Sequence, residues 1–364
     1  MKKVMLVFGT RPEAIKMCPL VKELQKRGKF EVKILLTGQH KEMLRQVLDV
    51  FGLKEDYNLE IMKDKQSLFD VTISILERIK PILEKERPDI VLVHGDTSTS
   101  FVAGLASFYL GILLGHVEAG LRTYNKYSPY PEEFNRQAIG SLSDFHFAPT
   151  QKAFDNLIRE GKDKDRVFVT GNTVIDALKT TVRNDYENEN IPKEGRMILL
   201  TMHRRENLGD YMRNSFRAIK DVVDENEDLT VIYPIHKNPL VRDIAKEVFG
   251  DDPRIRLIEP LNVIDFHNFM KKAYFVMTDS GGIQEEAPAL GKPVLVLRDT
   301  TERPEGVEAG TLKLTGLRQE DIYREMNLLL KDKDEYEKMS KAVNPYGDGH
   351  ASERICKILE EKIK

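Results

Sequence analysis

The chain of 364 residues carries 56 Lys and Arg against 59 Asp and Glu, for a formal net charge of −3, with 41% hydrophobic and 32% charged residues. Its length favours two domains over one, and its balance excludes a disordered chain and gives no footprint for nucleic acid. The two cysteines, Cys18 and Cys356, form neither a disulfide framework nor a metal-ligand spacing, so a reducing, cytoplasmic setting without a structural metal is expected.

The chain opens MKKVMLVFGTRPE, with basic residues before an apolar run of only Val4–Phe8. That run is too short for a signal-peptide core or a membrane span, so it reads as a first buried strand. Further short apolar runs follow at Val32–Thr37, Ile90–His94, Leu113–Glu118, Phe145–Ala148 and Val167–Thr170. They resume at Met197–Thr201, Thr230–Ile235, Ile255–Ile258, Phe275–Thr278 and Pro293–Leu297. Helical periodicity fills the gaps: in Lys41–Phe51, apolar Leu44, Val47, Leu48 and Phe51 recur at i, i+3, i+4 and i+7. Continuous apolar strands alternating with amphipathic stretches predict α/β architecture with parallel sheets covered on both faces. The pause between the two series, NDYENENIPKEG from Asn184 to Gly195, is polar and is the expected connection. The predicted organisation is therefore a doubly wound domain over 1–170, a linker over 171–195, and a second doubly wound domain over 196–350. An amphipathic helix over 351–364 closes the chain and can pack back on the first domain.

Ligands of open parallel sheets bind beyond the carboxyl ends of the strands, so the strand ends are where chemistry is sought. The first strand ends in Gly9-Thr10-Arg11-Pro12-Glu13, with Lys16 one turn on. This is not the three-glycine dinucleotide fingerprint, and none occurs in the chain, so no nicotinamide cofactor is expected. Arg11 and Lys16 at a helix start suit an anion, against the plainer reading of solvated charges on a proline-started helix. At His94-Gly95-Asp96-Thr97 the plainer reading, a helix cap, is the stronger one taken alone. Glu118 closes an apolar strand, where a charge needs a partner, and Arg122 is one choice. Glu132 and Glu133 follow a turn-rich segment, and Arg136 stands near enough to pair with Glu133.

In the second half, His203 stands with Arg204 and Arg205 at a strand end, and Tyr233-Pro234-Ile235-His236 forms a weaker parallel. A histidine so placed can act as an acid or contact phosphate, although a lone surface histidine is the commoner case. The strongest motif is Thr278-Asp279-Ser280-Gly281-Gly282-Ile283-Gln284-Glu285-Glu286. There a strand runs through glycines into a helix, an arrangement that exposes backbone N–H groups to phosphate. Glu286 can accept from ribose hydroxyls, and Arg298 and Arg303 add cations. Carboxylates in the first half and a phosphate cradle in the second suit a nucleotide sugar.

The stretches FGTRPEAIKMCP, HGDTSTS, GHVEAGLRT, YSPYPEEFNR, GNTVIDAL, HRREN and TDSGGIQEEAPALGKPVLVLRDTTERPEG resemble the non-hydrolysing UDP-N-acetylglucosamine 2-epimerases, in order and over essentially the whole chain. The resemblance implies a GT-B-like pair of Rossmann-like domains around a central cleft, and a homodimer. It implies reversible conversion of UDP-N-acetylglucosamine to UDP-N-acetylmannosamine, with no cofactor, metal, nucleic acid or membrane partner. By the same resemblance Lys16, Asp96, Glu118, Glu132 and His203 form the catalytic set. Arg11, Leu261, Phe266, Ser280, Gly281, Gly282, Glu286 and Arg303 bind the substrate. Some members are activated by a second UDP-N-acetylglucosamine. The matching region, TGQHKEM, keeps Gln39 but has Lys41 and Glu42 where Arg-Gln is the pattern, and Lys65 stands in place of arginine. Gln39, Arg205 and His236 are the residues such activation would use.

The sugar C2–H is not beside a carbonyl, so loss of UDP from C1 has to acidify it before a base removes it. The product is 2-acetamidoglucal, to which UDP adds back after protonation of the other face. Two acid/base groups are needed, drawn from Asp96, Glu118 and Glu132. Three other readings stay open. A GT-B glycosyltransferase is one, although paired glutamates eight positions apart are absent, since Pro293 and Val294 stand eight beyond Glu285 and Glu286. A hydrolysing epimerase and a non-catalytic nucleotide-sugar sensor are the others.

Overall fold

The computed structural model describes residues 1–38, 41–63 and 65–363, side chains 41–43 excepted. The chain divides into two compact units, Met1–Thr180 with Tyr346–Lys364, and Thr181–Pro345. The first holds strands β1 (Lys2–Phe8), β2 (Phe30–Leu36), β3 (Tyr57–Asn58), β4 (Ile90–His94), β5 (Leu113–Val117), β6 (Phe145–Ala148) and β7 (Val167–Val169). Its helices are α1 (Arg11–Arg27), α2 (Lys41–Val50), α3 (Leu68–Glu86), α4 (Ser98–Tyr109), α5 (Glu132–Leu142), α6 (Gln151–Arg159) and α7 (Thr173–Thr181). The second unit holds β8 (Arg196–Thr201), β9 (Leu229–Pro234), β10 (Ile255–Ile258), β11 (Phe275–Thr278), β12 (Val294–Val296) and β13 (Leu312–Leu314). Helices α8 (Asp210–Glu225), α9 (Pro239–Phe249), α10 (Val263–Lys272), α11 (Ile283–Ala289), α12 (Pro304–Glu308), α13 (Gln319–Lys331) and α14 (Lys333–Ser340) accompany it. Helix α15 (Ala351–Lys362) belongs to the first unit.

Both sheets are parallel, ordered β3-β2-β1-β4-β5-β6-β7 and β10-β9-β8-β11-β12-β13. Each reverses its winding once, at β1/β4 and at β8/β11, and such switch points leave a crevice beyond the carboxyl ends of the two strands. The strands are apolar on both faces because helices cover both. Val4, Met5, Leu6, Val7 and Phe8 of β1 have no exposed surface, nor have Ile198, Leu199 and Leu200 of β8. The two strands that sequence reading missed are edge strands. Tyr57–Asn58 pairs only two residues with β2, and Leu312–Leu314 only three with β12, too few to print an apolar run.

The turn from β1 into α1 is built around Glu13. Thr10 and Glu13 form a capping box. Glu13 Oε2 accepts from the Gly9 and Thr10 N–H groups at 3.0 and 2.8 Å. Its Oε1 accepts from Thr97 Oγ1 at 2.6 Å and Ser100 Oγ at 3.2 Å, which ties α1 to the start of α4. Gly9 is required by space: a Cβ there would stand 1.9 Å from Thr37 Oγ1. Glu13 is buried, so Glu13→Ala leaves two amides and two hydroxyls without their acceptor. We expect a loss of about 3 kcal/mol in urea unfolding, with Glu13→Gln less severe. Equal stability of Glu13→Ala and wild type would remove this account of the turn.

The segment over 171–195, expected as a linker, contains helix α7. Val174, Ile175, Ala177 and Leu178 are buried, a helical spacing masked by the polar run after it. The chain re-enters the first unit at Tyr346 rather than at 351. There α15 packs on α1, with Arg27 Nη1 3.2 Å from Glu360 Oε1. Asp176 accepts from the N–H groups of Ala351 and Ser352 at 3.2 and 2.8 Å, taking up the first amides of α15. Among the described residues no helix is long and apolar enough to cross a membrane.

Candidate functional site

In the first unit the polar residues gather at the carboxyl ends of β1, β4 and β5, the strands at and beside the switch. Glu118 follows β5 with φ of +63°, a left-handed conformation unusual for a side-chain-bearing residue and often found where a group must be aimed. Its carboxylate pairs with Lys16 of α1. It also accepts from Asn172 Nδ2 at 2.7 Å and lies 3.5 Å from His94 Nε2. Burial by itself raises the Glu118 pKa. The charges of Lys16 and His94 outweigh it and hold the group well below the ordinary carboxylate range.

The expected partner Arg122 is elsewhere. It binds Glu160 through Nε at 2.7 Å and Nη2 at 2.9 Å. Gly120 explains this: its φ of +91° turns the chain over α6, where a Cβ would meet Ala153 O at 2.2 Å, so Arg122 lands at the end of α6.

Asp96 is not the cap of α4. Thr97 is, through Ser100 N–H at 3.1 Å. Asp96 pairs instead with Arg136, at 2.7 Å from Nη2 and 2.9 Å from Nε, and Asn135 Nδ2 donates to its backbone carbonyl at 2.8 Å. The adjacent acids Glu132 and Glu133 part company in the first turn of α5. Glu133 is buried and accepts from Thr123 N–H, Tyr124 N–H and Gln137 at 3.0, 3.1 and 2.9 Å, with Arg136 at 3.3 Å. Its burial favours the neutral form, yet those donors lower its pKa, as a structural carboxylate requires. Glu132 is half-buried, and its carboxylate has no hydrogen-bond or ion-pair partner among the described residues. His116 donates from Nε2 to Gly95 O at 2.7 Å, and burial pushes its pKa down to about 3, so it serves as a neutral strut under the Gly95–Asp96 turn. Arg11 opens α1.

In the second unit the organiser is Asp279, fully buried just past β11. Its Oδ2 accepts from the N–H groups of His203 and Arg204 at 2.9 and 2.8 Å and from Asn207 Nδ2 at 3.1 Å. It thereby folds the HRREN turn after β8 against β11. His203 stacks on His236, with ring centroids 5.7 Å apart and planes 15° from parallel. A cavity of about 220 Å3 lies here, lined by His203, Pro234, His236, Leu261, Phe266 and Ile283. Its lining is largely apolar and includes the stacked His203 and His236, a composition common to small-molecule sites. His236, expected at a contact to a second nucleotide sugar, thus shares a cavity with the substrate residues. Arg205 is exposed, and Gln39 lies outside the described residues.

The Ser280–Gly282 loop is a narrower cradle than expected. The Ser280 N–H is used by Thr278 Oγ1 at 2.9 Å, and α11 is only seven residues long. The N–H groups of Gly281 and Gly282 have no acceptor among the described residues. A Cβ on Gly281 would stand 4.0 Å from the Arg303 guanidinium, so the bare backbone keeps that approach open. Arg303 pairs with buried Glu285. Glu286, one residue on, lies 3.3 Å from His267 Nε2, and His267 Nδ1 meets Thr181 Oγ1 at 2.7 Å.

Sequence reading missed Glu13, Asn172, His267, Asp279 and Glu285. The spacing Thr10-x-x-Glu13 is a capping-box signature that identifies the first. The other four are single polar residues whose importance lies in long-range contacts. Among the described residues no cluster of His, Cys, Asp and Glu could hold a metal.

The family model described as UDP-N-acetylglucosamine 2-epimerase matches residues 22–360. A curated UDP-N-acetylglucosamine 2-epimerase of Bacillus subtilis is 60% identical over 359 residues, covering 98% of this chain and 94% of its own. A crystal structure of a UDP-N-acetylglucosamine 2-epimerase superposes with a TM-score of 0.92 at 57% identity, covering 99% of this chain and 96% of that one. The Neisseria meningitidis UDP-GlcNAc 2-epimerase, solved bound to UDP-GlcNAc, does so with 0.89 at 46% identity, covering 99% and 100%.

Proposed function

This chain belongs to the UDP-N-acetylglucosamine 2-epimerase family, with its GT-B-like pair of Rossmann-like domains, and from that premise we propose how its residues epimerise the sugar. UDP leaves C1 of UDP-N-acetylglucosamine, a carboxylate removes the C2 proton to give 2-acetamidoglucal, and UDP returns after protonation of the opposite face. The product is UDP-N-acetylmannosamine, and the reaction needs no redox cofactor.

The observation that carries this reading is the Lys16–Glu118 pair beside the switch point of the first sheet. Lys16 keeps Glu118 ionised at neutral pH, the form a base needs, but also makes it a weak base. A weak base suffices only if C2–H is already acidic, and departure of UDP from C1 makes it so. Elimination is thus the chemistry that this carboxylate can perform. Asp96 and Glu132 are the partners for the second face. Asp96 is held by Arg136, and Glu132 stands in the first turn of α5. In the second unit the Leu261–Phe266 cavity receives the uracil. Glu286 accepts from the ribose, and Arg303 with the Gly281 and Gly282 N–H groups meets the diphosphate. His203 and Arg11 stabilise the charge that builds on departing UDP. We place the enzyme in the cytoplasm as a homodimer.

Turnover in deuterated water, with C2 followed by NMR, tests the mechanism. The expected product is UDP-N-acetylmannosamine carrying deuterium at C2. Epimerised product that retains its original C2 hydrogen would eliminate this mechanism.

A further inference from the structure

Asn172 links Glu118 to the returning C-terminal segment. Its side chain is locked at both ends: Nδ2 donates to Glu118 Oε2 at 2.7 Å and Oδ1 accepts from Val174 N–H at 3.1 Å. Its backbone N–H donates to Tyr346 O at 2.7 Å. Around it the chain is held by the same segment. Arg354 Nη1 donates to Thr170 O at 3.0 Å. Gly171 and Gly347, both at positive φ, pack backbone to backbone, and a Cβ on Gly171 would stand 3.3 Å from Gly347 Cα. Asn172 is 2% exposed, so its amide has one place to point.

We propose that Asn172 is a positioning residue for Glu118, and that the segment from Tyr346 onward fixes it in that role. The inference rests on the acid/base assignment of Glu118 made above. The charged and titratable groups facing that carboxylate are Lys16 from α1 and His94 from β4. Lys16 supplies charge, but its ammonium rides on a flexible four-carbon stem and is also what an incoming diphosphate attracts. Asn172 is neutral, short and anchored, so it keeps the carboxylate aimed when Lys16 shifts toward phosphate. Without it Glu118 would swing at the moment when its placement matters, and misplacement of a reacting group lowers kcat more than binding.

The test uses the full chain. Asn172→Asp keeps the acceptor for Val174 N–H and replaces the donor to Glu118 by a second negative charge. Asn172→Ser keeps a nearby acceptor but does not reach Glu118. Both are expected to bind UDP normally by calorimetry and to lose about 10- to 100-fold in kcat with KM little changed. A like charge at hydrogen-bond distance raises a carboxylate pKa, so the acid limb of kcat/KM should move up by about one pH unit in Asn172→Asp. In Asn172→Ser it should move the same way by less. A purely structural role would lower the melting temperature and leave the limb in place. Glu118→Gln is run beside them. If it keeps wild-type turnover, the assignment of Glu118 falls and this inference with it. If it is inactive while folded Asn172→Asp and Asn172→Ser keep the wild-type acid limb, this inference alone is overturned. Should Asn172→Asp not fold, Asn172→Ser decides by the same limb.

Discussion

Glu118→Gln is expected to lower kcat by about 10^3-fold, the scale for loss of a positioned acid/base group. UDP binding by calorimetry should persist, because Glu118 is not among the proposed nucleotide contacts. Deuterium entry at C2 should fall in step with turnover, since the substitution removes the proton acceptor and not the leaving-group contacts. A kcat within tenfold of wild type would refute the assignment. Stability gives a second readout with a defined sign. Glu118 has a folded-state pKa below its unfolded value, so its contribution is present above the ordinary carboxylate range and is lost as pH falls through the lower, folded pKa. The deficit of Glu118→Gln against wild type should therefore be full at neutral pH and shrink in acid. At neutral pH the substitution also leaves the Lys16 ammonium without its carboxylate, and adding Lys16→Met should recover part of that loss.

Arg303→Met is expected to cost about 3 to 5 kcal/mol in denaturant unfolding, because it leaves the carboxylate of Glu285 buried without its cation. Glu285 is 2% exposed, and Asn344 Nδ2 donates to its backbone carbonyl at 3.0 Å. The pair thus pins the loop before α12 to the helix after the glycine turn. The same substitution should weaken UDP binding by about a hundredfold, through loss of a charge-assisted contact to diphosphate. Adding Glu285→Gln separates the two effects. The double variant should recover most of the stability and none of the affinity. Affinity restored with stability would show that Arg303 serves the fold alone.

Nearly every strand was legible in the sequence, because a strand buried on both faces must be an unbroken apolar run. The carboxyl ends of those strands then located the polar residues without any structure. Pairings were less legible. Glu118 and Arg122 stand four apart and invite a salt bridge, yet the left-handed turn at Gly120 carries Arg122 to Glu160, while Lys16 arrives from 102 residues earlier. Asp96 and Thr97 read as one cap. The structure gives the cap to Thr97 and Asp96 to Arg136. Glu132 and Glu133 are neighbours of the same type, and the loop amides of Thr123 and Tyr124 decide which is buried.

The α/β class, the two series of strands, and the carboxylates, histidines and glycines at their ends can all be read from the residues alone. Those are local properties, written in apolar periodicity and in which residue types tolerate a strand end. The packed chain settles which charge meets which, that Asn172 joins Glu118 to the segment from Tyr346, and that Asp279 folds the turn holding His203. A buried polar group takes as partner whatever the packed chain brings within about 3 Å. That distance depends on the path of every element between, and no stretch of sequence near either residue encodes it.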